Sequence, residues 1–169
     1  ELEPLAAGLR ATYDAFAEAA SEVSLQRIHG DLHLGQALRT SHRWVLIDFE
    51  GEPMADLDDR RRPDSTLRDI AGMLRSFEYA GHHRVVEAGY QPQLSYRASE
   101  WTQRNRDAFL AGYAEAADHD PREHEVPLRA FEADKAVYEA VYEARNRPAW
   151  LPIPLATLSR LAAAESETS

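Results

Sequence analysis

The sequence predicts a mainly helical domain interrupted once by a small β hairpin. Apolar residues recur at intervals of three and four along most of the long segments. Two short β-like runs flank a Thr-Ser-His turn. Hydrophobic residues make up 44% of the chain, a normal share for a packed core.

From Leu5 to Val23 the chain is Ala-rich, and Leu5, Leu9, Tyr13 and Phe16 form one stripe of an amphipathic helix. Ser24 to Ile28 reads as a short strand leading into His29–Gln36. The hairpin follows, with strands at Ala37–Arg39 and Trp44–Ile47 around Thr40, Ser41 and His42. Past Ile47–Pro53 the residues are charged and loop-like as far as Pro63, with ion pairs on a solvated surface.

Asp64, Ser65 or Thr66 caps a second helix whose apolar positions are Leu67, Ile70, Ala71, Leu74 and Phe77. It is expected to fade near Gly81, and Gly89 and Pro92 make residues 82–95 irregular. A third helix fits Ser99–Ala117, with Trp101 and Tyr113 in the core. A fourth runs from Leu128 to Arg145 and ends before Pro148. A last one covers Leu155–Ala164. The domain is therefore expected to occupy residues 1–164, and residues 165–169 to form a frayed polar tail.

Composition removes several function classes. Acidic residues outnumber basic ones, 29 against 19, a net charge of −10 that opposes binding to a phosphate backbone. The absence of cysteine excludes disulfides, thiolate zinc sites and thiol catalysis. No apolar run approaches the roughly 20 residues that span a bilayer. The N-terminus lacks the layout of a signal peptide. A cytoplasmic protein with neither nucleic-acid nor membrane partners is expected.

Two acidic motifs bracket the hairpin: His29-Gly30-Asp31 with Gln36, and Ile47-Asp48-Phe49-Glu50. A hairpin brings its ends together, so Asp31, Gln36, Asp48 and Glu50 are expected to share one pocket. Three carboxylates there repel one another unless a cation lies between them. Oxygen-only ligands suit a hard ion, and Mg²⁺ is the usual one beside phosphates. Gln36, Asp48 and Glu50 would hold the metal, leaving Asp31 to accept a hydroxyl proton.

HGDLHLGQ followed by LIDFEGEP resembles the catalytic and metal-binding loops of the aminoglycoside-phosphotransferase-like branch of the protein-kinase-like fold. Gln36 stands where most members have Asn. With LRDIAGMLRSFEYA and YEAVYEARNRPAWLPIPL added, the ordered set resembles the C-terminal helical lobe of actinobacterial maltokinases over about residues 25–160. The resemblance implies ATP-dependent phosphorylation of a sugar hydroxyl, maltose first, to maltose 1-phosphate. Related sugar and aminosugar kinases, among them glucosamine kinase, share the pattern. Asp31 would be the proton acceptor, Asp69 and His29 structural supports of its loop, and Tyr138, Tyr142 and Trp150 the sugar site. Tyr138 and Tyr142 are four apart, so they share a helix face.

No glycine-rich turn between apolar strands and no strand lysine is present, and Lys135 falls in a late helix. An N-terminal nucleotide-binding lobe is thus expected in cis, outside this chain, with the isolated segment inactive. The resemblance also admits a fusion to, or complex with, a trehalose synthase. Two other readings start from the same residues. His29, Asp31 and His33 match a metal-hydrolase string, and a kinase-like lobe without catalysis could act as a binding module.

Overall fold

The computed structural model describes residues 3–19, 24–52, 56–117 and 119–166, with residues 164–166 described by backbone alone. In chain order the elements are α1 (Ala6–Ala19), β1 (Leu25–Gln26), β2 (Ala37–Arg39), β3 (Trp44–Leu46), α2 (Leu57–Arg61), β4 (Asp64–Ser65), α3 (Thr66–Glu87), α4 (Pro92–Ala117), α5 (Glu125–Asn146) and α6 (Pro152–Ser166). β2 and β3 pair antiparallel, with Leu38 opposite Val45. β1 pairs antiparallel with β4, Leu25 opposite Ser65. The architecture is mainly helical with two two-stranded sheets.

α3 packs against both α4 and α5, while α1 and α6 cover the other side of α5. Leu67, Ile70, Ala71 and Leu74 of α3 meet Leu110, Leu128 and Phe131 in one buried cluster. Every apolar position expected for this helix is buried, Phe77 included. The second cluster joins Leu9 of α1 and Leu158 and Leu161 of α6 to Ala133, Ala136 and Ala140 of α5. Small side chains along that stripe let three helices approach closely, and α5 can bury alanine inward while presenting larger residues outward.

The helix ends differ from expectation in instructive ways. α1 is entered by a 3-10 turn at Glu3–Leu5 and described to Ala19; the expected continuation to Val23 lies outside the described residues. α3 does not fade at Gly81 but continues to Glu87. A Cβ at Gly81 would run into the Thr102 hydroxyl and come 3.2 Å from the Ala98 carbonyl oxygen, so this glycine is where α4 crosses α3. Pro92 opens α4 rather than breaking the chain, since proline lacks only an N–H that a first turn leaves unused. In α4 the buried residues are Ala98, Thr102 and Leu110, and Trp101 is exposed rather than core.

The stretch expected as loop before Pro63 contains α2, whose Asp58 and Asp59 lie in the first turn and Arg60 and Arg61 in the last, matching the helix dipole. α5 begins at Glu125, after a 3-10 turn at Pro121–His124. α6 starts at Pro152 and extends through Ser166, into the expected tail; residues 167–169 lie outside the described residues.

Candidate acceptor and phosphoryl-transfer site

The loop His29–Gln36 lies over the first half of α3 and is pinned there at several points. The Asp69 carboxylate accepts hydrogen bonds from the backbone N–H of His29 at 2.7 Å and of Gly30 at 2.9 Å. Burial pushes the Asp69 carboxyl above its ordinary value, although both hydrogen bonds pull it down. The Leu34 N–H donates to Ser76 Oγ at 3.1 Å. Gly72 brings α3 under the loop: a Cβ there would stand 2.6 Å from the Leu32 carbonyl oxygen.

His29 is buried and ties the loop to the end of β3. Its Nε2 lies 2.8 Å from the Ile47 carbonyl, which can only accept, so Nε2 carries the proton. The ring also tilts against Phe49, 4.7 Å between centroids. These contacts deliver Asp48 to the hairpin's open end, where its backbone adopts φ 65°, a costly value outside glycine.

There the Gln36 side-chain amide donates to Asp48 Oδ2 at 3.0 Å. Gln36 Oε1 and Asp48 Oδ1 accept no hydrogen bond among the described residues, and the pair lies on an exposed surface. An oxygen-only pair of this kind fits a hard divalent ion that keeps most of its water and takes further ligands from phosphates. Among the described residues no three His, Asp or Glu side chains close on one point. The acidic trio expected round a single ion is therefore divided. Asp48 goes to Gln36, Glu50 stays exposed at the turn, and Asp31 goes elsewhere.

Asp31 meets Lys135. The ammonium sits 3.1 Å from Asp31 Oδ1 and 2.9 Å from Glu52 Oε2. Tyr138 donates to the other Glu52 oxygen at 3.2 Å, and Lys135 lies over the Tyr138 ring at 5.3 Å. The cation between carboxylates near Asp31 is thus a lysine. Burial alone would raise the Glu52 carboxyl, but hydrogen bonding and charge from Lys135, with Tyr138 and Asp31 adding, hold it below the ordinary glutamate value. Burial would lower Lys135, yet Glu52 and Asp31 outweigh it and raise the ammonium.

Asp31, Lys135, Tyr138 and Tyr142 open onto a cleft of about 400 Å³ whose floor includes Glu139 and Glu143. Tyr138 and Tyr142 are 39% and 45% exposed, so they form a wall and not a core stripe. Trp150 does not itself line the cleft but reaches that wall through Arg147, whose guanidinium also lies 5.4 Å from the Tyr142 ring. Its ring lies 6.1 Å from both Tyr79 and His83, and the Arg147 guanidinium covers it at 4.6 Å. Arg147 also holds both oxygens of buried Glu143. His33 caps the 3-10 turn Leu34–Gln36 through Nδ1, 3.1 Å from the Gly35 N–H.

Sequence reasoning passed over Lys135, Glu52 and Glu139. A signal was present: the chain's single lysine shares one face of α5 with Tyr138, Glu139 and Tyr142, at offsets of three, four and seven.

No family model matches the chain. Among curated proteins, the glucosamine kinase of Mycolicibacterium smegmatis is 32% identical over 136 residues, 79% of this chain and 33% of that enzyme. The glucosamine kinase of Streptacidiphilus jiangxiensis is 29% identical over 153 residues, 88% of this chain and 34% of the enzyme. Among solved structures, a glucosamine kinase in complex with glucosamine, ADP and inorganic phosphate superposes with a TM-score of 0.75 at 25% identity. It is matched over 90% of this chain and 37% of its own. The chain spans about a third of the length of the relatives it matches. These matches give no specific support to maltose as the acceptor. No helix of the described residues is long and apolar enough to cross a membrane. By sequence and by fold, the chain is a partial homologue of glucosamine kinase, an ATP-dependent phosphotransferase.

Proposed function

We propose that this chain supplies the acceptor-binding and catalytic portion of an ATP-dependent sugar kinase, with an amino sugar of the glucosamine type as acceptor. The observation that carries the reading is the setting of Asp31. One carboxylate oxygen is held by Lys135, while the other stands 4.0 Å from His33, beyond hydrogen-bonding reach, and faces a cleft rich in acids. Asp31, Glu52, Glu139 and Glu143 line that cleft against Lys135 and Arg147, an excess of negative charge that favours a cationic sugar. The similarity to glucosamine kinases points the same way.

In this reading the acceptor hydroxyl donates its hydrogen bond to the Asp31 oxygen that Lys135 does not hold and surrenders its proton there. The sugar oxygen then bonds to the γ-phosphorus as the bond to the β–γ bridging oxygen of ATP breaks. Lys135 keeps Asp31 in one rotamer, and Tyr138 and Tyr142 offer ring faces to the sugar. Gln36 and Asp48 would hold Mg²⁺, which supplies positive charge against the phosphate oxygens. ATP binding is assigned largely to a nucleotide-binding portion of the same polypeptide, corresponding to the part of the relatives that this chain does not match.

A second acceptor class, a neutral disaccharide such as maltose, has one observation in its favour: the exposed Tyr138–Tyr142 wall suits stacking against uncharged sugar rings. A panel of glucosamine, glucose and maltose, assayed by ADP release from the full-length protein, separates the two. The highest kcat/KM is expected for glucosamine. A higher value for maltose would reverse the choice, and no turnover of any sugar would remove the kinase reading.

A further inference from the structure

We infer that Glu139 reads the amino group of the acceptor, and that buried Arg75 is the positioning residue that keeps its carboxylate aimed at the cleft. The inference rests on the amino-sugar reading above and adds the residue that distinguishes such a sugar from its neutral counterpart.

The argument is one of elimination among the cleft carboxylates. Both Glu143 oxygens are occupied, Oε1 by Tyr79 and Arg147 and Oε2 by Arg147. Both Glu52 oxygens are occupied, by Tyr138 and Lys135. Asp31 has one oxygen on Lys135, and the other is the one assigned to the reacting hydroxyl. Glu139 differs. Arg75 donates twice to the same oxygen, Oε2, through Nε at 2.9 Å and Nη2 at 2.7 Å. Oε1 receives no donor among the described residues, and the residue lines the cleft floor.

Arg75 is built for this one task. It is wholly buried, its Nη1 is anchored on the Thr157 hydroxyl of α6, and its guanidinium lies over the Tyr79 ring at 5.8 Å. Burial pushes the Glu139 carboxyl up, and the Arg75 charge opposes that. A carboxylate oxygen without a protein donor at the wall of an open cleft is a strong acceptor for an ammonium group, which offers both a charge and a hydrogen bond. Arg75 saturates the other oxygen from behind, so the carboxylate cannot turn away.

The test uses the full-length protein and Glu139→Gln, which keeps an acceptor for Arg75 while removing the charge. Binding of glucosamine and of glucose is measured calorimetrically alongside turnover. In the wild type glucosamine should bind more tightly than glucose. In Glu139→Gln glucosamine should weaken by roughly ten- to a hundredfold, the range for losing one charge-assisted hydrogen bond, with glucose and ATP within about twofold of wild type. Arg75→Lys should keep the preference and Arg75→Gln should lose it; thermal unfolding of each variant identifies a fold defect, in which case Glu139→Gln decides alone. Equal weakening of both sugars, or no preference in the wild type, overturns the inference. Preference without phosphorylation would sink the kinase reading and leave the inference standing.

Discussion

Lys135, midway along α5, reaches 3.1 Å to Asp31 in a loop more than a hundred residues earlier, and in doing so joins the His29–Gln36 loop to the cleft wall formed by Tyr138 and Tyr142. Both partners are mostly buried, with 27% and 19% of their side chains exposed, so the pair is screened less than a surface bridge. Lys135→Met leaves Asp31 and Glu52 facing each other without a cation. The expected loss is about 1–3 kcal/mol, between the ranges for exposed and for fully buried pairs. Urea unfolding should show a lower midpoint at unchanged slope. Adding Glu52→Gln to the same chain should cost less than the sum of the two changes, because the repulsion is then gone.

The same pair sets a pH window. Lys135 is raised above its ordinary 10.5, so its stabilisation is complete below that value and is lost as pH rises through the raised one. Glu52 is lowered below its ordinary 4.5, so its stabilisation is complete above that value and is lost as pH falls through the lowered one. Asp69 has the opposite sign to Glu52: its carboxyl is raised above 3.8, so its contribution is present in acid and lost as pH climbs through the raised value. Unfolding free energy measured against pH should fall above about 10.5 as the Lys135 contribution is lost, while on the acid side the loss of the Glu52 contribution below about 4.5 is opposed by Asp69. Lys135→Met should flatten the alkaline limb. An unchanged alkaline limb in that variant would remove Lys135 from the account.

Asp69 holds two backbone N–H groups that have no other protein acceptor among the described residues. Asp69→Ala should strand both, at about 1–3 kcal/mol each. The loss should be visible as faster amide exchange at His29 and Gly30. Turnover of the full-length protein should drop although Asp69 is not placed against substrate, because Asp31 is the next residue in the loop.

Local pattern and distant contact divide what could be read in advance. The α3 stripe is readable because burial repeats with the helical period, and Leu67 through Phe77 all obey it. The meeting of Gln36 with Asp48 is readable because a hairpin joins its own ends. Lys135 escaped because an ion pair between residues 31 and 135 leaves no periodic trace, and a lysine in a helix usually reads as solvated surface. The α3–α4 boundary was misread because a glycine that ends a helix and a glycine that lets two helices touch look alike in sequence. The β1–β4 pairing, two residues long, is too short to show alternation. Val141 is 40% exposed because the alanines at 133, 136 and 140 take the inner face of α5.

Two glycines test close packing, one under the His29–Gln36 loop and one on an open face of α4. At Gly72 an added Cβ would stand 2.6 Å from the Leu32 carbonyl, a backbone atom that cannot move without shifting Asp31. Gly72→Ala should destabilise by about 1–3 kcal/mol, the usual cost of overpacking, and lower turnover. At Gly112, within α4, a Cβ would meet nothing within 4 Å. Gly112→Ala should stabilise by up to about 1 kcal/mol through helix propensity alone. Opposite signs in thermal unfolding are expected, and a destabilising Gly112→Ala would contradict the helix packing described.

Under the proposed function, the pair Gln36–Asp48 predicts how a divalent ion would enter. With no group of three acidic or histidine ligands among the described residues, an ion held by this pair would take most of its ligands from water and from nucleotide phosphates. Its affinity for the protein without nucleotide should therefore be weak, and titration of Mg²⁺ into the full-length protein should show tight binding only when ATP is present. Asp48→Ala should raise the Mg²⁺ concentration needed for half-maximal turnover by tenfold or more, in the range for losing a metal-site residue. Glu50→Gln should raise it little, since Glu50 is exposed at the turn and joins no three-residue ligand group among the described residues. Equal effects of the two substitutions would mean that the ion is held by the whole 48–50 turn, and the division of the acidic trio would then have to be redrawn.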